Sequence, residues 1–88
     1  MNVFVDCFYG PNNGDPWSVH LENVNWSGIW KTMQYMINEA PKKTNFKAEY
    51  FELWDGDIDE PNEPIRTFDP QEINEYFATG LGNCKLIW

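Results

Sequence analysis

Asp55-Gly56-Asp57-Ile58-Asp59 places three carboxylates at alternate positions, the opening of a calcium-binding loop. A loop of that kind needs glycine at its sixth position for a sharp turn and a bidentate glutamate at its twelfth. Those positions hold Glu60 and Arg66, so the run reads as a solvated acidic loop and no metal is expected. His20 is the single histidine, and with Cys7 and Cys84 it cannot complete a tetrahedral zinc set. As a general base it has no nucleophile or orienting acid near it in sequence, so it reads as a partly exposed strand residue. Cys7 and Cys84 could face each other: if the first and last strands pair antiparallel, Val3 opposes Trp88, Val5 opposes Leu86 and Cys7 opposes Cys84 on one face. Both thiols are expected to stay reduced as small core groups. No constellation here supports catalysis, and the expectation is a protein that is not an enzyme and carries no cofactor.

Charge is the stronger signal. Residues 1–48 carry four acids (Asp6, Asp15, Glu22, Glu39) and four bases (Lys31, Lys42, Lys43, Lys47). Residues 49–88 carry ten acids against Arg66 and Lys85, so the net charge of -8 belongs to the second half. A field this one-sided attracts cationic partners and repels polyanions, which argues against direct nucleic-acid binding. The chain also has fifteen aromatic residues among its 88, too many for a disordered acidic tail. It is expected to fold as one compact domain over 1–88. No stretch approaches the roughly 20 apolar residues that span a bilayer. The first ten residues lack the basic and apolar regions of a signal peptide, so no membrane association and an intracellular location are expected.

The elements that must position these groups follow from periodicity. Val3, Val5, Cys7 and Tyr9 alternate with Phe4, Asp6 and Phe8, and apolar groups on both faces suggest a central strand. A Gly-Pro-Asn-rich loop follows, and Trp17, Val19 and Leu21 give a second strand that could pair as a hairpin. Trp26, Ile29, Trp30, Met33, Met36, Ile37 and Ala40 form a helical stripe over about 27–39, capped by Asn25 or Ser27 and stopped by Pro41. That Trp- and Met-rich stripe reads as core before it reads as a binding groove. The segment 46–54 is a strand whose alternation changes face, which implies a bulge or burial on both sides. After the acidic loop, 65–68 fits a short edge strand. Asp69, Pro70 and Glu72 make an N-cap, first-turn proline and capping-box glutamate for a second helix, with Ile73, Tyr76 and Phe77 buried and Gly80 as its stop. Residues 84–88 read as a closing strand. The expected fold class is α+β: an antiparallel or mixed sheet of four to five strands with two helices on one face, in a ferredoxin-like split βαβ order.

Acids at alternate strand positions lie about 6.6–6.8 Å apart, so a strand, its following loop and the next helix could present a quasi-regular array of negative charge. Such an array imitates a nucleic-acid backbone towards a protein that grips phosphates with Lys and Arg. In general character (small, acidic, aromatic, without catalytic residues) the chain resembles the inhibitors that phages deploy against host restriction or CRISPR machinery. The expected function is a non-enzymatic inhibitor or adaptor that docks on a basic, nucleic-acid-binding protein. Its expected contact residues are Glu49, Glu52, Asp55, Asp57, Asp59, Glu60 and Glu63, extended by Glu72 and Glu75 and anchored by Tyr50 and Trp54. The competing expectation is a structural or oligomeric module, such as a virion or assembly component, whose aromatics bury a homomeric interface.

Overall fold

Strict alternation makes the first seven-residue strand the centre of the sheet. The computed structural model describes residues 1–10 and 15–78. Its elements are β1 (Val3–Tyr9), β2 (Trp17–Leu21), α1 (Trp26–Thr44), β3 (Ala48–Asp55), β4 (Arg66–Phe68) and α2 (Pro70–Ala78). The four strands form one antiparallel sheet in the order β2-β1-β3-β4. The fold is α+β, as the element order implies.

The hairpin strand β2 determines the topology. It reverses the chain before α1, so the chain emerges from the helix running antiparallel to β1 and pairs with its free edge. The split crossover is therefore β2-α1-β3, with β1 lying between its two strands. This differs from a split unit that begins with β1. Both flanks of Cys7 are occupied, by Trp17 on β2 and Phe51 on β3, so the expected register of Cys7 against Cys84 is replaced. Cys84, Gly80 and the expected strand over 84–88 lie outside the described residues.

The core collects one face of the sheet and both helices. Val3, Val5, Cys7, Phe51, Leu53 and Phe68 meet Ile29, Trp30, Met33, Met36 and Ala40 of α1 and Ile73 and Tyr76 of α2, and no polar side chain is buried among the described residues. Trp30 is the central piece: its ring stacks on Tyr76 at 4.1 Å and takes Phe68 edge-on at 5.1 Å. The Trp- and Met-rich stripe is thus core. Burial of the Cys7 thiol pushes its pKa from 9.0 up to about 11, so it stays protonated and unreactive at neutral pH.

Three local details differ from or refine the sequence reading. α1 runs a full turn past the expected end, through Pro41 to Thr44. Proline costs the bond to the carbonyl four residues back, but the turn closes through Asn45, whose N–H donates to the Pro41 carbonyl at 3.0 Å from a left-handed conformation (φ 70°). Asn25 is the N-cap, accepting from the Gly28 N–H at 2.9 Å. The face change in β3 is a bulge: Phe8 pairs with Tyr50 and Tyr9 with Ala48, which leaves Glu49 without a register partner.

Candidate functional site

The side chains that do not enter the core form a sheet face that no described helix covers, and pairing register arranges them in rows. Phe4 stands opposite Trp54 on β3 and His20 on β2; Asp6 stands opposite Glu52 and Ser18; Phe8 stands opposite Tyr50. Thr67 of β4 extends the middle row beside Glu52. A carboxylate row is therefore framed by two aromatic rows, each about 6.6–6.8 Å away. The aromatic rows are stacked in place, His20 on Phe4 at 4.5 Å and Tyr50 on Phe8 at 4.6 Å between centroids. Phe4 and Tyr50 remain about two-fifths exposed, at 39% and 41%.

The two central carboxylates are held by neutral donors. Ser18 Oγ donates to Asp6 Oδ1 at 2.6 Å, and Trp54 Nε1 donates to Glu52 Oε1 at 3.1 Å. Directly opposed strand residues have Cβ atoms about 4.5–5.5 Å apart, and like charges in that position destabilise a sheet. Among the described residues, no lysine or arginine belongs to any of the three rows. Asp6 and Glu52 are thus a like-charge pair with no described lysine or arginine beside them in these rows.

The acidic loop after β3 folds against one end of this face. Asn2 anchors it: the Asn2 carbonyl accepts from the Gly56 N–H at 2.8 Å, and Asn2 Nδ2 donates to Asp57 Oδ1 at 2.9 Å. A Cβ on Gly56 would stand 3.0 Å from the Asn2 backbone, so glycine permits this close approach. Asp55 Oδ1 accepts from the Asp57 N–H at 2.8 Å, a local turn that shapes the loop. Between loop and sheet lies an open hollow of about 480 Å³. Its sheet side is Phe4, Asp6, Ser18 and Trp54, and its loop side includes Asp55, Ile58, Asp59 and Glu60. Comparison with family models, with curated proteins and with solved structures finds no match to this chain.

The sequence-predicted contact residues divide into two groups. Tyr50, Glu52 and Trp54 lie on the uncovered face, and Asp55, Asp59 and Glu60 border it; Asp57 turns to Asn2 at its edge. Glu49 is exposed at the bulge and Glu63 is exposed further along the loop. Glu72 and Glu75 are not part of this surface, because α2 packs on the core face. Glu72 pairs with Arg66, whose guanidinium also lies 4.4 Å from the Phe68 ring centroid, and Glu75 accepts from Gln71 at 3.2 Å. Glu72 therefore does not close the expected capping box; Asp69 alone caps α2, accepting from the Glu72 N–H at 2.9 Å.

Sequence reasoning missed Phe4, Asp6, Phe8, Ser18 and His20. Their signal was the second face of an alternation already read in β1 and β2. Among the described residues no group of three or more His, Cys, Asp or Glu side chains is placed to hold a metal ion, and no helix is long and apolar enough to cross a membrane.

Proposed function

We propose that this chain is a non-enzymatic acidic binding module, an inhibitor or adaptor that docks its uncovered sheet face and the 55–61 loop on a basic protein surface. The observation that carries this reading is the middle row: Asp6 and Glu52 directly opposed, framed by aromatics, with no Lys or Arg among the described residues of the rows or of the hollow. A like-charge pair costs stability in the free protein and is relieved when a cation arrives. An aromatic sheet face can serve as a stacking platform for single-stranded nucleic acid, but that mode needs a positively charged groove. The charge here has the opposite sign, so the natural partner is a protein that itself grips phosphates. Within that class, mimicry of nucleic acid towards a restriction or CRISPR component remains the specific proposal.

Exposed Phe4 and Tyr50 favour a second use, a homomeric interface. A symmetric dimer through this face would bring its acids, Asp6, Glu52 and Asp55 among them, up against the acidic face of the second copy, and that repulsion weighs against it. The test is competition. A partner isolated at low salt should release this protein when duplex DNA or single-stranded RNA is added. Replacing Asp55, Asp57, Asp59 and Glu60 by Asn or Gln should slow association and flatten its salt dependence, since steering acts on the on-rate. Unchanged affinity, salt slope and competition in that variant would reject the reading. A concentration-dependent dimer abolished by Tyr50→Ala would favour the homomeric one.

A further inference from the structure

We infer that the hollow between the sheet face and the 55–61 loop receives the guanidinium of an arginine projecting from the basic partner. This rests on the acidic-docking reading above and names the chemistry of the contact. Phe4 and Trp54 supply aromatic surface on one side of the hollow, and Asp6, Asp55, Asp59 and Glu60 supply carboxylates around it. A planar guanidinium stacks on a ring face while its edge N–H groups reach a carboxylate, two demands that a lysine ammonium does not meet together. The Trp54 indole N–H is tied to Glu52, which holds the ring beside the carboxylate row. The volume of about 480 Å³ lies within the roughly 300–1,000 Å³ of sites that enclose a ligand, enough for the side chain and part of its backbone. Every described charged residue that borders the hollow is an acid, so charge complementarity selects a cation, and the aromatic rings select one with a flat face.

The experiment compares two decapeptides of equal charge, alternating glycine with arginine or glycine with lysine, by calorimetry at physiological ionic strength. The arginine peptide should bind about tenfold tighter, the order expected of a partly desolvated cation–π contact. That preference should vanish in Trp54→Leu and in Asp6→Asn, while Glu63→Gln, outside the hollow, should keep it. Circular dichroism checks that each variant folds; should Trp54→Leu unfold, Phe4→Leu and Asp6→Asn carry the test. In the parent protein the Trp54 indole N–H resonance should move on addition of the arginine peptide. Equal affinity for the two peptides, or a preference that survives Asp6→Asn and Phe4→Leu, would overturn the arginine site. Neither result would touch the competition with nucleic acid that tests the docking reading, so the two failures are distinguishable.

Discussion

One face of the sheet presents Val3, Val5, Cys7, Phe51 and Leu53 to two helices; the other carries Phe4, Asp6, Phe8, Tyr50, Glu52 and Trp54, of which Phe4 and Tyr50 are exposed and the rest half-buried. The same two strands build both. What separates them is the partner available to each polar group. On the core side, Arg66 finds Glu72 together with the rings of Trp30 and Phe68. On the open side, Asp6 and Glu52 stand opposite each other, and their described hydrogen-bond donors are a hydroxyl and an indole N–H. The first arrangement is what folding selects. The second runs against stability, and under the proposed function it is kept for a contact with a cationic partner.

The contrast can be broken most forcefully with consecutive residues. Phe51 is fully buried and Tyr50 is exposed. Phe51→Ala should cost about 3–5 kcal/mol, whereas Tyr50→Ala, which loses one cross-strand ring pair, should cost about 0.2–1 kcal/mol. Urea denaturation of the two variants reads the difference, and comparable losses would mean that the open face is structural.

Cys7 sharpens the same contrast through pH. Its thiol ionises at 9.0 when unfolded and at about 11 in the fold, so between those values the unfolded chain binds fewer protons. Its contribution is whole below pH 9 and is lost as pH rises towards 11, by about 2–3 kcal/mol at 1.36 kcal/mol per pKa step. The stability advantage of the parent over Cys7→Ala should shrink across that interval, and iodoacetamide should label Cys7 only after unfolding. An advantage that does not vary with pH would remove the case for a desolvated thiol.

On the open face the sign reverses. Asp6→Asn keeps the side-chain size and relieves the opposition to Glu52, so it should raise stability by about 0.2–1 kcal/mol. A loss larger than that would show that the Ser18 bond outweighs the repulsion and would weaken the functional reading of the row. The smallest effect expected is that of calcium. Millimolar calcium should leave the melting temperature unchanged, whereas a site held at a hundred times its dissociation constant would add about 2.7 kcal/mol. In a domain of this size such a gain is many degrees, and it would make the acidic loop a metal site instead of a protein-facing one.

Much of the fold was legible because it rests on local rules. The α1 stripe, the Asn25 and Asp69 caps, the central character of β1 and the bulge in β3 all follow from spacing and residue type. Strand order was not, since three alternating apolar segments could each serve as an antiparallel neighbour of β1. The direction of the chain after the hairpin decided among them. Pro41 misled for a related reason: its cost falls in a last turn that the Asn45 cap closes. At the site, summing charge over each half of the chain found the acids of β3 and its loop but hid Asp6, which lies in the neutral half and meets them only across the β1–β3 pairing.

The central place of β1 also sets a timetable for synthesis. β2 follows within a few residues and can close the hairpin early, because short loops form fast. The other edge of β1 waits for 48–55, with all of α1 made in between. Until then a strand bearing Val3, Val5 and Cys7 offers an open ladder that any extended segment can join. The slow step in forming this sheet should therefore be the docking of β3, and a nascent chain halted before residue 55 should be the species most prone to aggregate.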